Sequence, residues 1–240
     1  MSDAIAICNL PILRLMVNRA SRVYCISGQV LNRLDRVLPS SKLRLTSTGV
    51  DPSVFFNMKR KRKKQIIQIG QLMWYKGHKY LIEAMPKILS AEPDYKLIIV
   101  GRGKLRQEIN NLINKKKLNN SVEMIPNLNH DELRKLYNES MLLIMPSLFE
   151  GLPKVLLEAY ACGLPAVITD ACNAENISND KGIIVKKKSS NALAKSIIEI
   201  LGDKLMWEKY SANCLDIIKT HDWKIIGNNI CDDYKSLFKN

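Results

Sequence analysis

The chain has 240 residues, enough to bury one good core and part of a second. Its apolar fraction of 46% is that of a soluble globular protein, and no run of about 18 apolar residues offers a membrane-spanning helix. A formal net charge of +14 implies an anionic partner, for which a nucleoside diphosphate, an anionic lipid surface and a nucleic acid all qualify. The six cysteines (8, 25, 162, 172, 214 and 231) show no C-x-x-C and no metal-ligand spacing. They read as reduced thiols of a cytosolic protein, with no metal site.

In chain order, Ala4 to Val17 is apolar but broken by Asn9, Pro11 and Arg14, and it lacks the basic lead-in of a signal peptide. Val23–Ile26 is strand-like and Gln29–Val37 helix-like. The basic run Lys59-Arg-Lys-Arg-Lys-Lys64 reads as a solvated linker, or more sharply as a contact for anionic lipid headgroups. No aromatic stacking motif accompanies it, so no nucleic-acid partner is expected. Six short apolar runs follow: Gln65–Ile69, Lys96–Val100, Ser121–Ile125, Met141–Met145, Ala166–Thr169 and Gly182–Val185. They alternate with helix-like stretches, which predicts an α/β fold with a doubly wound, Rossmann-like parallel sheet of about six strands.

The helical signals lie between those runs. His78–Leu89 has apolar residues at helical spacing and stops before Pro93. Asn129 with Glu132 makes a capping box for Asp131–Glu139, and Ser189 or Ser190 can cap Asn191–Leu201. The tail from Trp223 to Phe238 is amphipathic, with Trp223, Ile226, Ile230, Tyr234 and Leu237 at intervals of three and four.

The segment with most chemical content is Ser147-Leu-Phe-Glu-Gly-Leu-Pro-Lys-Val-Leu-Leu-Glu-Ala-Tyr-Ala-Cys-Gly163, which reads as turn and helix after the Met141–Met145 strand. Pro153 suits the first helical turn and Gly163 the position past its end. Val155 to Cys162 is apolar on nearly every side, so the helix is buried and Glu158 is its only acid. Glu150 stands in the turn before it, where helix N–H groups attract anions. Two carboxylates beside an anion site suit a ligand carrying hydroxyls and phosphates, such as a nucleotide-sugar. A capping acid plus a core acid paired with a hidden Lys or Arg is the alternative.

These blocks closely resemble the donor-site signature of retaining glycosyltransferases of the glycogen-synthase-like "glycosyl transferases group 1" family. Gly70-Gln-Leu-Met-Trp-Tyr-Lys-Gly-His-Lys-Tyr-Leu-Ile-Glu-Ala84 is similar to the family's opening segment. Leu97-Ile-Ile-Val-Gly-Arg-Gly103 is similar to its second strand and glycine turn, and Thr48-Gly-Val-Asp-Pro-Ser-Val-Phe55 to its interdomain hinge. The matches keep the family's order over roughly residues 20 to 238. The resemblance implies the C-terminal half of a GT-B fold. Residues 1–45 would be a remnant of the N-terminal acceptor domain, 46–64 the hinge and basic linker, 65–219 the nucleotide-sugar donor domain and 220–240 a crossover helix. The acceptor half would be supplied by a longer chain or by a partner chain.

The resemblance also implies roles. Glu158 would hold the ribose hydroxyls. Glu150 would contact the donor sugar and stabilise its developing cation. Lys76 would neutralise the diphosphate leaving group. Backbone of Gly151, Leu152, Pro153, Lys154 and Val155 would hold sugar and diphosphate, Gly101 and Gly103 would let backbone approach the ligand, and the Ile125–Leu128 loop would lie along the base. Glu175 would be structural. His78 is expected to start a helix, and His130 and His221 to lie on the surface. No cofactor or metal is implied. The partners implied are a UDP- or GDP-sugar and a sugar or lipid-linked acceptor, in the cytoplasm or at the inner membrane face. Two departures stand out. Gln71 occupies a place usually held by arginine, and Cys172-Asn173 replaces a glycine pair. A non-catalytic nucleotide-sugar-binding remnant is therefore the alternative function.

Overall fold

The computed structural model describes residues 11–151, 153–172 and 174–238, with Gln29, Glu175 and Asn176 described by backbone alone. The chain divides into two compact units. One comprises the residues up to Gly49 together with those from Thr220 onward; the other is Val50–Lys219.

The smaller unit holds α1 (Pro11–Asn18), β1 (Val23–Cys25), α2 (Gly28–Leu34), β2 (Leu43–Leu45) and a long final helix, Trp223–Ser236. β1 and β2 pair in parallel, Val23 opposite Leu43 and Cys25 opposite Leu45. Leu-Arg-Leu is too short for alternation to mark it as a strand in the sequence. Ser27 caps α2 by accepting from the Val30 N–H at 3.3 Å. The core here is small: Cys25, Leu34, Leu38 and Leu43. Asp233 of the final helix receives Arg22 and Arg44 (both Nε, 3.1 Å) and the Tyr24 hydroxyl (2.8 Å). A Cβ on Gly49 would lie 2.7 Å from the Trp223 indole, so glycine is needed where that ring packs.

The larger unit is a six-stranded, wholly parallel sheet in the order β5-β4-β3-β6-β7-β8. Its strands are β3 (Gln65–Ile69), β4 (Lys96–Val100), β5 (Val122–Ile125), β6 (Leu142–Met145), β7 (Ala166–Thr169) and β8 (Gly182–Val185). The four inner strands are apolar runs buried on both faces, as a parallel sheet between helix layers requires, while the edge strand β5 leaves Glu123 exposed. On one face Ile66, Leu97, Ile99, Leu142 and Val167 pack with α3 (His78–Ala91), α4 (Arg106–Lys115) and α8 (Ser190–Gly202). On the other, Ile67, Ile98, Leu143 and Ile168 pack with α5 (His130–Glu139), α6 (Lys154–Ala161) and α9 (Lys204–Cys214). A short helix, α7 (Glu175–Ser178), sits between β7 and β8. Asn129 and Glu132 form the expected capping box of α5, and Ser189 caps α8.

α9 gives little signal in the sequence, because it buries only Cys214, whereas α4 is amphipathic, with Ile109, Leu112 and Ile113 turned to the core. The basic run is largely engaged within this unit. Arg60 and Lys63 both bind Glu139, and Lys64 binds Asp94. Arg62 donates to four backbone carbonyls: Tyr137 (2.9 Å), Ser140 (2.6 Å), Cys162 (3.1 Å) and Gly163 (2.7 Å). Its guanidinium also lies 5.0 Å from the Trp207 ring centroid. Lys59 and Lys61 are the exposed remainder. Among the described residues no helix is long and apolar enough to cross a membrane.

Candidate functional site

The strand order reverses direction between β3 and β6, so the loops leaving those neighbouring strands diverge to opposite faces. In open α/β sheets a ligand crevice forms at that point, outside the carboxyl ends of the strands. The loop after β3 carries Gln71 and Lys76; the loop after β6 carries Ser147 and Glu150.

Three contacts tie the loops together. Gly77 closes the turn Trp74–Lys76 at φ +68, and a Cβ there would lie 1.9 Å from the Pro146 carbonyl oxygen. Only glycine satisfies both the left-handed backbone and this approach. The Leu148 N–H donates to the Tyr75 carbonyl at 2.7 Å. Lys76 Nζ then meets Glu150 Oε2 at 2.6 Å, with side chains only 17% and 15% exposed. The Ser147 hydroxyl lies 3.4 Å from the same oxygen. Lys76 and Glu150, separate signals in the sequence, thus form one ion pair in the crevice.

Gln71 is exposed beside them. Its side-chain oxygen accepts from the Tyr75 hydroxyl at 3.0 Å, and its main-chain carbonyl lies 3.0 Å from His78 Nε2. A carbonyl only accepts, so Nε2 carries the proton. His78 is buried as the first residue of α3, and burial holds its pKa below the ordinary histidine value. It anchors the loop.

Gly101 and Gly103 each stand against the backbone of this loop. A Cβ on Gly101 would lie 1.9 Å from the Gly70 carbonyl oxygen, and one on Gly103 would lie 2.4 Å from that of Leu72. The Leu72 N–H donates to the Arg102 carbonyl at 2.8 Å, and that of Leu105 to the Leu72 carbonyl at 3.1 Å. The two loops therefore lock together at backbone distance. Ile125 ends β5, where its carbonyl accepts from the Gly101 N–H at 2.9 Å; Leu128 is half-buried against the second core.

α6 begins at Lys154, and no side chain caps its first turn. Gly151 is exposed, Pro153 is buried, Lys154 points to solvent and Val155 is half-buried. Pro153 has no N–H to offer, so it shapes the turn and cannot donate to a ligand. Leu152 and Asn173 lie outside the described residues, as does the side chain of Glu175. Glu158 sits one turn further along α6, half-buried. Its partner is not a hidden cation: among the described residues no Lys or Arg forms an ion pair with it. Instead Tyr137 of α5 donates its hydroxyl to Glu158 Oε2 at 2.9 Å. Burial raises the Glu158 pKa, while the Tyr137 hydrogen bond and the nearby His130 and Lys154 oppose that shift. Tyr137, Tyr75 and Arg62 did not stand out in the sequence. Their apolar bodies or linker context mask polar tips whose partners are distant in the chain.

Comparison with known proteins matches this architecture. The profile of the family described as "Glycosyl transferases group 1" covers residues 51–215. The chain belongs to this family. It is 29% identical over 214 residues to an uncharacterised glycosyltransferase of Methanocaldococcus jannaschii, covering 82% of this chain and 55% of that protein. It is 26% identical to the GDP-mannose-dependent monoacylated alpha-(1-6)-phosphatidylinositol monomannoside mannosyltransferase of Corynebacterium glutamicum, covering 70% of this chain and 46% of the other. Among solved structures, Anabaena HepE in complex with UDP shares the fold with a TM-score of 0.85 at 20% identity, over 95% of this chain and 67% of that one. The chain thus spans about half the length of the curated relatives it matches.

Proposed function

We propose that the chain is the donor-binding half of a retaining glycosyltransferase. The unit Val50–Lys219 would bind a UDP- or GDP-sugar. The sugar would pass to a sugar or lipid-linked acceptor held by further chain or by a partner, in cell-surface polysaccharide or glycolipid synthesis. The observation that carries this reading is the approach of Lys76 Nζ to Glu150 Oε2, 2.6 Å, at the point where the sheet reverses, with Glu158 on the helix that follows. A cation, a carboxylate and a helix N-terminus meet there, matching a diphosphate, a sugar and the charge that develops between them.

In the reaction the bond from the sugar's anomeric carbon to the diphosphate oxygen breaks, and its electron pair stays on that oxygen. Lys76 and the backbone N–H groups of the turn leading into α6, from Gly151 to Val155 without Pro153, offset the growing negative charge. Glu150 stabilises positive charge on the sugar. The acceptor oxygen bonds the anomeric carbon on the face the diphosphate leaves, so configuration is retained, and its proton passes to the departing phosphate. Lys76 supplies the positive charge, so this reading needs no metal ion. Glu158 accepts from the ribose hydroxyls, and the Ile125–Leu128 loop borders the base. The C. glutamicum relative is named for GDP-mannose and HepE was solved with UDP, which makes both nucleotides reasonable donors.

The uncharged Gln71 favours a second reading, a nucleotide-sugar-binding protein without transfer activity, because its amide donates a hydrogen bond but carries no charge. Calorimetric titration of UDP-, GDP- and their sugars into the chain and into Glu158→Ala tests the shared premise. Binding that weakens about 10-fold or more in the variant supports the site. No binding by the folded chain contradicts it. Transfer to an acceptor by the chain joined to its missing half would then separate enzyme from remnant.

A further inference from the structure

The geometry points to Tyr137 as a positioning residue of the nucleotide site: by fixing one oxygen of Glu158 it leaves the other aimed at the ribose, and so sets the preference for a ribonucleotide over a deoxyribonucleotide. This rests on the reading of Glu158 as the ribose-holding carboxylate.

A glutamate on a helix has three rotatable bonds and ordinarily samples several rotamers. Here one oxygen, Oε2, accepts from a tyrosine that is fully buried and cannot move aside. The Tyr137 ring packs edge-on against Phe55 at 5.9 Å. The helices bearing the two residues are also tied at their far ends, since Arg62 donates to the Tyr137 and Ser140 carbonyls at the end of α5 and to the Cys162 and Gly163 carbonyls at the end of α6. The C-terminal ends of the two helices are thus fixed to one another beside the Tyr137–Glu158 contact. The hydroxyl has no competing use, because burial and the neighbouring Glu158 carboxylate hold the Tyr137 pKa well above the usual tyrosine value. It stays a donor.

The same bond keeps Glu158 in its accepting form. Burial drives the carboxyl towards protonation, and a protonated carboxyl accepts less well from two hydroxyls. The groups facing Glu158 are Tyr137 and His130 from α5, with Lys154 and the Cys162 thiol on its own helix. Burial pushes the Cys162 thiol up to about 12, so it adds no charge. His130 and Lys154 remain in a Tyr137→Phe variant, so a difference between variant and parent profiles isolates the hydroxyl. Without it the Glu158 pKa rises further, and ribose binding is lost at a higher pH.

The test is the affinity of a ribonucleoside diphosphate and of its 2′-deoxy analogue for the chain, Tyr137→Phe and Glu158→Ala, each measured from neutral pH down towards the ordinary carboxylate range. Tyr137→Phe is expected to weaken the ribonucleotide about 3- to 10-fold, to leave the deoxy analogue nearly unchanged, and to lose affinity more steeply as pH falls. A variant that keeps the parent's ribose preference and pH profile, while Glu158→Ala loses that preference, overturns the role of Tyr137 alone. Parent-like binding by Glu158→Ala overturns the underlying reading of Glu158. A thermal melt identifies a Tyr137→Phe chain that fails to fold. In that case 3-fluorotyrosine at position 137, which keeps the ring and makes the hydroxyl a stronger donor, carries the test. A ribose-binding pH profile shifted to lower pH supports the role of the Tyr137 bond, and an unchanged profile overturns it.

Discussion

The two units of this chain solve the packing problem to very different degrees. Val50–Lys219 closes six strands between two helix layers and buries apolar side chains on both faces of its sheet. Among its described residues the smaller unit has two short strands and one core cluster of Cys25, Leu34, Leu38 and Leu43, and it leaves Ile12, Leu15, Met16 and Leu45 more than half exposed. A sheet of two strands is marginal without further cover. Its order rests instead on polar fixing, with Asp233 gathering Arg22, Arg44 and Tyr24. Lys76, Glu150 and Glu158, the residues proposed to hold the donor, all lie on the larger unit.

That contrast can be broken first at Arg62. Arg62→Ala removes a guanidinium that joins four carbonyls of the larger unit, and it should cost about 3–5 kcal/mol, read as a large fall in melting temperature. A change below about 1 kcal/mol would mean the four bonds are replaced by water. Next comes Gly77→Ala, which puts a Cβ 1.9 Å from the Pro146 oxygen at φ +68. It should cost about 2–4 kcal/mol and weaken nucleotide binding, because the Lys76 and Glu150 loops meet there. Parent-like stability and affinity would show that the loops can part without loss.

A smaller, local effect belongs to the other unit. The Tyr24 hydroxyl, then Arg44 and Arg22, hold the Asp233 pKa below its ordinary 3.8. A depressed carboxylate stabilises the folded form above the unfolded pKa, and that stability disappears as pH falls through the folded pKa. Amide exchange should therefore rise in the smaller unit on acidification into that range while the sheet of the larger unit stays protected. Asp233→Asn should produce the same loosening at neutral pH. Uniform exchange across both units would remove the distinction drawn between them.

How much of this was legible depended on the length of the signal. The six strands of the larger unit stand where the apolar runs place them, most clearly the four inner ones, because burial on both faces leaves a continuous apolar word. The α5 capping box was readable for the same reason: its residues are three apart. β2 was missed because three residues carry no period, and α9 because it buries too few side chains to show one; α4 was missed although Ile109, Leu112 and Ile113 recur at helical spacing. In the site, the family motifs pointed to Lys76, Glu150 and Glu158, but not to what each touches. The Lys76–Glu150 pair spans 74 residues, and Tyr137 reaches Glu158 across 21. Gly101 and Gly103 were noticed for their glycines, but their close approach to the Gly70 and Leu72 carbonyls was not legible from spacing.

The most direct measurement is the affinity of UDP and GDP, by calorimetry, for the whole chain and for a fragment of residues 50–219. If the larger unit folds by itself and carries the donor site, the fragment melts cooperatively and binds the preferred nucleotide with the affinity of the whole chain, within about 2-fold. A folded fragment that no longer binds would place essential contacts outside that unit and contradict the account.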